Sequence, residues 1–515
     1  MIGWGAFHAT ASITLTFPLV LHMNNRLPLG TEPTSTVAEF NLWTMRWGSA
    51  HLVPLGDAYW NAPIFWPRRG AFALSEPQPL TAAMFAATRT LLGPVAAYSF
   101  VLLVGITLTG LGAALLARRL GADPVPAAIV GVLAQSIPFV FDQLGVLQLT
   151  MIWPMPFALS FLVAWARNPE PRQAAGFALS VVALSLSCGN HAVLFGLSLV
   201  LAAPVLVSRR WHREATQRIG GIAVAAGILI AVAAVVVIPQ QGRLDGFTWR
   251  RATVLAGSGQ WSDWWFTNRS WPGVIVILLA LFGAWIQRRD RTVWFLVALA
   301  AAAFAISFGS RLSIFGWHPW DALRSTVPGI ARLRSPWRSA TIVQIALVAL
   351  TVPAVQQIWA ARRTLRRTVL MAAIVSGIAI GHVGPGTLVA ADVAQRPAVR
   401  ALSRLDDGGA VLYLPFAAGP GPETFQGTTG VMNELLGTGH PLVNGYSGFF
   451  PSDHSKIRDL TDSFPDGRSL DALAERGVQY VLADAIWLKP RRDRLDEFGI
   501  TIAVDDPQGI LLRLP

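Results

Sequence analysis

The sequence predicts an α-helical polytopic membrane protein of about eleven transmembrane helices, followed by a small α/β domain outside the membrane at residues 390–515. Three observations predict it. The 515 residues are 53% hydrophobic and only 14% charged, with mean hydropathy +0.47, which is too apolar for a water-soluble chain. Apolar runs long enough to cross a bilayer recur as far as residue 389. Charge then changes sign: residues 1–389 hold 12 acidic and 29 basic groups, net +17, whereas 390–515 hold 17 and 12, net −5. The basic surplus sits in short loops of the membrane part, so the pI near 11.0 does not point to nucleic acid.

Reading apolar runs against flanking arginines gives spans at 2–23, 94–116, 126–141, 149–166, 174–186, 192–207, 219–238, 272–286, 292–308, 339–360 and 368–383. The first lacks the basic start and small-residue exit of a signal peptide and is expected to stay as a helix. Alternate connections, at 118–119, 167 and 172, 209–218, 288–291 and 362–367, are crowded with arginine. The positive-inside rule makes these cytoplasmic. The N-terminus then lies inside, and residues 24–93 and 390–515 lie outside.

The segment Gly30–Pro79 stands apart from the apolar background. It carries Glu32, Glu39, Asp57 and Glu76, a third of all the acids in 1–389. Aromatics surround them, which argues for an ordered, functional loop. Within AEFNLWTMRWG, Phe40, Trp43 and Trp47 recur at helical spacing and predict an interfacial helix with its aromatics in the headgroup belt, Glu39 being a surface acid. Glu32, Asp57 and Glu76 are candidate catalytic carboxylates, able to take a proton from a hydroxyl or to sit beside a metal-bound phosphate. Each also reads plainly as a loop or turn acid.

Two later loops concentrate cations. RLDGFTWRRATVLAGSGQWSDWWFTNRSW, at 243–271, offers arginines for phosphate and indoles such as Trp264 for a sugar face. Snorkelling arginines beside an aromatic belt are the plainer reading. Its Asn268 begins an N-glycosylation pattern, a common chance match. IARLRSPWRSA places Arg332, Arg334 and Arg338 at the outer end of a span, where the topology rule does not require them, and outer positive charge suits a lipid phosphate. His318, in GWHPWDALR, is a further candidate for substrate contact, although a lone histidine usually serves structure.

Residues 390–515 read as strand VLYLPF, helix SLDALAERG with a glycine stop at Gly477, strand VQYVLAD, and two strands joined at DDPQG. The exposed segment NGYSGFFP is expected to be covered. The single cysteine, Cys188, reads as a packing residue, and no metal-ligand spacing occurs.

Taken together, the acidic TEPTS after the first span, the NLWTMRW helix, LSEP before the next helix, the block from Gly93 to Gly121, RSPWR before a late helix, and the outer LVNGYSGFFPSDH and LAERGVQYVLAD resemble the GT-C superfamily of polytopic membrane glycosyltransferases. The resemblance is to the mannosyltransferase-like bacterial members, and it spans most of the chain. It implies a bacterial inner-membrane enzyme that takes a sugar from a polyprenyl-phosphate donor at the outer leaflet and passes it to a lipid or glycan acceptor. It implies Glu32 as the base, at a position where many members carry Asp. Arg334 and Arg338 then meet the lipid phosphate, with Arg332, Trp43, Trp264 and His318 as further substrate contacts. Some members use a divalent metal ion, which nothing in the spacing specifies here. The rival readings are a non-catalytic protein that binds lipid-linked glycan or serves as a subunit of a membrane complex, and a transporter. The transporter reading is poorly supplied with intramembrane charge, Asp142 being nearly the sole candidate.

Overall fold

The computed structural model describes residues 2–206, 215–244, 246–265, 270–327, 329–360, 387–391, 393–419 and 421–515. The expected eleventh span, the loops at 209–214 and 362–367, and Asn268 lie outside the described residues. Contacts divide the chain into two compact units, one of residues 1–23 and 99–388 and one of 24–98 and 389–515. The boundary differs from the expected 1–389 and 390–515. The loop after the first span folds with the C-terminal domain, since its aromatics bury against that domain's helices.

The first unit is helical. Six helical segments among the described residues are long and apolar enough to cross a membrane: Pro94–Arg119, Pro124–Asp142, Leu147–Arg167, Gly189–Leu206, Arg218–Arg243 and Pro336–Ala360. Val274–Ile286 and Arg291–Ser307 are shorter apolar helices. Proline shapes the departures from the expected spans. The first helix covers Ile2–Leu15 only, with Pro18 beyond it. The third segment breaks between Gln135 and Pro138, and the fourth resumes at Pro154. In each case the ring removes an amide donor and disfavours a helical residue before it.

Cys188 is buried in extended backbone between helices Pro171–Ser187 and Gly189–Ala202, a packing residue at the expected break. Deeper in this unit His8 and Gln135 share a hydrogen bond of 2.8 Å, and the Gln135 amide donates to Ser12 at 2.9 Å. Gly110 and Gly131 make room for this group, because a Cβ on either would fall within 2.7 Å of the imidazole. Small residues here let helices close around a buried polar cluster.

The second unit is mixed. Its four-stranded sheet runs Ala410–Leu414, Val478–Ala483, Ile510–Arg513, Thr501–Val504 in spatial order. The first pair is parallel and the other two are antiparallel. These are the strands expected from the sequence. Helix Gly467–Ala474 is capped by Asp466, whose carboxylate accepts the Ser469 amide at 2.7 Å, and it stops near Gly477 at φ +68°. From the loop come the helices Thr36–Ala50 and Pro79–Leu92, and Thr36–Ala50 packs on Gln426–Leu435.

The interfacial expectation for Thr36–Ala50 is corrected. Its aromatic stripe faces protein: Trp43 is 1% exposed, stacked on Phe40 at 5.9 Å and edge-on to Phe72 at 6.0 Å. Helical spacing predicts an apolar face but does not say what covers it. NGYSGFFP supplies part of the cover, with Tyr446 on Phe40 at 5.1 Å and Phe450 near Phe65 at 5.9 Å.

Candidate functional site

Each unit carries one set of the expected site residues. In the second unit, Glu32 sits at the turn where its amide donates to the Leu29 carbonyl oxygen at 3.1 Å, and its side chain is half-buried. Glu76 is half-buried just ahead of Pro77 and helix Pro79–Leu92. Asp57 is exposed at the start of the short helix Asp57–Trp60.

Glu39, expected to be a surface acid, is partly buried. Burial pushes it above the usual range, hydrogen bonds from Ser35 and Thr429 pull it back in part, and the nearby Glu434 charge raises it again. The Thr429 hydroxyl donates to Glu39 Oε2 at 3.1 Å, and the Asn433 amide donates to the Glu39 backbone oxygen at 2.9 Å. Arg46 donates to the Asn433 backbone oxygen at 2.7 Å. Glu434 is paired with Arg396, whose Nη2 lies 2.5 Å from Oε1 and whose Nε lies 2.8 Å from Oε2. This network ties helix Thr36–Ala50 to helix Gln426–Leu435. Trp43 is enclosed beside it, and its burial does not favour the expected role as a substrate contact.

In the first unit the three arginines divide. Arg332 spends its guanidinium on protein. It donates to the backbone oxygens of Phe247 at 3.2 Å and Leu244 at 3.1 Å and to the Gln241 side-chain oxygen. These acceptors lie at and beyond the end of helix Ile238–Arg243, where carbonyl groups lack partners within the helix. Arg332 therefore serves as a staple. Arg334 is exposed, with its guanidinium 5.2 Å from the Trp249 ring centroid. Trp249 is held in turn: its amide donates to Ala331 at 3.0 Å, and its carbonyl oxygen accepts from Arg324 at 2.5 Å. Arg338, half-buried in the turn Pro336–Ser339, lies within electrostatic reach of His191.

Two loops fix the backbone that carries Arg334. A Cβ on Gly257 would lie 2.0 Å from the Arg334 backbone oxygen, so only glycine permits the approach. The Gly259 amide donates to the Ser307 backbone oxygen at 2.7 Å, and the Ser310 amide to Ser258 Oγ at 3.2 Å. Asp321 accepts from Ser310 at 2.6 Å and from Arg251 at 2.7 Å. Burial alone raises the Asp321 carboxyl, but these bonds and the charges of Arg251 and Arg324 hold it below its ordinary range.

The other expected contacts are structural where they stand. Trp264 packs edge-on to Phe304 at 4.7 Å, while the neighbouring indoles Trp261 and Trp265 are exposed. One ring nitrogen of His318 bonds to the Leu312 carbonyl oxygen at 3.2 Å, which ties down the loop beside the exposed Trp317. Among the described residues no three His, Cys, Asp or Glu side chains gather as metal ligands.

No protein-family model and no curated sequence matches the chain. Solved structures of one fold do. The apo oligosaccharyltransferase of Archaeoglobus fulgidus matches with TM-score 0.56 at 11% identity, over 94% of this chain and 69% of its own. The arabinofuranosyltransferase AftD from Mycobacteria matches with TM-score 0.58 at 16% identity, over all of this chain and 41% of its own. ArnT from Cupriavidus metallidurans matches with TM-score 0.52 at 14% identity, over 99% of this chain and 98% of its own. ArnT has also been solved bound to undecaprenyl phosphate, and the archaeal AglB in complex with an inhibitory peptide and a dolichol-phosphate. The chain is a multi-pass membrane protein with the GT-C fold.

Proposed function

We propose that this chain is a membrane glycosyltransferase. It transfers a sugar from a polyprenyl-phosphate-type donor to a lipid or glycan acceptor at the outer face of a bacterial inner membrane. The observation that carries the reading is the GT-C fold, which matches at least 94% of this chain in an oligosaccharyltransferase, an arabinofuranosyltransferase and ArnT. Two of the similar structures hold a polyprenyl-type phosphate, which supports a lipid-linked donor.

In this mechanism the acceptor hydroxyl oxygen attacks the anomeric carbon. The bond from that carbon to the phosphate oxygen breaks, and its electron pair stays on the phosphate. Glu32 takes the hydroxyl proton, with Glu76 and Asp57 the next carboxylates to test. Arg334, exposed and steadied over Trp249, and Arg338 counter the charge that grows on the leaving phosphate.

The test is turnover of a radiolabelled polyprenyl-phosphate sugar by the purified full chain. Glu32→Gln should lower turnover by roughly 10²–10⁴-fold, the usual contribution of a general base, with donor binding unchanged. Arg334→Ala should weaken donor binding as well. Full turnover in Glu32→Gln would refute the base assignment. Donor binding without turnover in the wild-type chain would favour the non-catalytic binder instead.

A further inference from the structure

We propose that the second unit carries a carbohydrate subsite that takes one pyranose ring, in the pocket between Phe65–Arg68 and Pro451–Ile457. The pocket is a cavity of about 240 Å³, against the roughly 10–15 Å³ that a single water needs. Its wall is fixed by backbone bonds. The Trp66 amide donates to the Leu442 carbonyl oxygen at 3.0 Å, and the Leu442 amide donates to Pro63 at 3.0 Å. Gly445 lets the two segments approach, since a Cβ there would sit 3.1 Å from Ile64 and 3.3 Å from Phe65. Phe65 itself is held at φ +58°, a conformation that a bulky residue adopts only when its surroundings impose it, and such residues concentrate at ligand sites.

Three side chains specify the ligand class. Trp66 is 40% exposed, and its indole N–H is already tied to the Arg476 carbonyl oxygen at 3.0 Å. The ring plane is therefore set before anything binds, with the apolar surface left to contact a ligand. Beside it stands the half-exposed carboxylate of Asp453, 3.5 Å from Arg476 Nη2, which accepts hydroxyl hydrogens. His454 closes the floor. It is 7% exposed, and its Nε2 has no hydrogen-bond partner.

Burial, with the Arg458 charge, pushes the imidazole down to about 4 against a smaller opposing effect of Asp453, so it is neutral at neutral pH. Arg68 lines the same pocket, so its polar lining holds a donor and the Asp453 acceptor, the mixture that hydroxyl groups satisfy. An apolar wall with a few fixed polar groups is the usual form of a small-molecule site, and here the polar groups are those that hydroxyls satisfy.

The inference rests on the glycosyltransferase reading only for the source of the sugar, which would be a residue of the acceptor glycan. The test needs no turnover. The full chain in lipid nanodiscs, free of sugar-based detergent, is titrated with methyl pyranosides of glucose, galactose and mannose, followed by tryptophan fluorescence and saturation-transfer NMR. At least one pyranoside should bind saturably. Trp66→Ala should weaken it at least tenfold and Asp453→Asn several-fold. Glu32→Gln should bind as wild type, which separates this site from the proposed catalytic one. Absence of saturable binding to every pyranoside, or unchanged binding in Trp66→Ala or Asp453→Asn, would overturn the proposal.

Discussion

At Glu39 burial overrides what the local sequence says. Its neighbours along helix Thr36–Ala50 mark it as a surface acid, yet the hydroxyl that bonds it belongs to Thr429, 390 positions away. No periodicity in a fifty-residue window carries that information. The rarity of acids in residues 1–389 was legible and drew attention to the right loop. Which of them would be buried was not. Because burial raises the Glu39 carboxyl in the folded state, folding binds a proton more tightly there than unfolding does. Stability from this group is thus greatest in acid and falls as pH rises from the ordinary glutamate value through the raised one. Glu39→Gln keeps an oxygen for Thr429 and removes the charge. Its melting temperature should exceed wild type at pH 7, and the gain should vanish below the ordinary glutamate range. A gain that grows toward acid would contradict the assignment. Arg396 is the opposite case. It neutralises Glu434, which is only 8% exposed, and Arg396 Nη1 also donates to the Gln508 backbone oxygen at 3.1 Å. Arg396→Ala strands that carboxylate and should cost about 3–5 kcal/mol in denaturant unfolding. Arg396→Lys should recover only part, because an ammonium cannot reproduce the forked contact.

Among the elements, those with a strong local signature were legible: the four strands of the second unit's sheet, the helix stopped at Gly477, and the break at Cys188. Those decided by a single close approach were not. The run at 253–260 reads as polar loop, and nothing local says that Gly257 must lie under the Arg334 backbone. The helix Pro79–Leu92 was legible at its start, after LSEP, but its extent was not, since it lies inside a segment read as loop. Two glycines test how far packing governs these elements. Gly257→Ala drives a methyl group into a backbone oxygen 2.0 Å away and should cost on the order of 1–3 kcal/mol. It should also weaken donor binding, since it shifts the backbone that carries Arg334. Gly430, within helix Gln426–Leu435, has open space where its Cβ would go and no positive φ. Gly430→Ala should therefore stabilise the chain by roughly 0.5–1 kcal/mol in the same thermal assay. If both variants melted alike, steric approach at Gly257 would not be what holds that loop.

For the whole molecule, the grouping of residues 24–98 with 389–515 into one compact unit constrains how the chain threads the bilayer. Two segments that share a core, as Phe40 and Tyr446 do at 5.1 Å, lie on the same side of a membrane. The chain between them must then cross an even number of times. Arginine placement assigns the side. The connections at 118–119, 167 and 172, and 288–291 are short and basic, and short basic loops stay in the cytoplasm because moving their charge across the bilayer is opposed. The segment 24–93 is one connection removed from the first of them. Residues 390–515 carry a net charge of −5, so the positive-inside rule does not hold them in the cytoplasm. We therefore propose that both parts of the second unit lie outside. Cysteine labelling tests this directly, because the natural Cys188 is buried and is replaced by alanine to leave a clean background. Single cysteines go in at four exposed positions, Val53 and Ile486 in the second unit and Arg172 and Arg289 in the basic connections. In intact cells a membrane-impermeant maleimide should label the variants at 53 and 486 alike. Those at 172 and 289 should react only after the membrane is opened. Labelling of 53 without 486 would break the shared-side argument, and labelling of 172 in intact cells would overturn the arginine assignment.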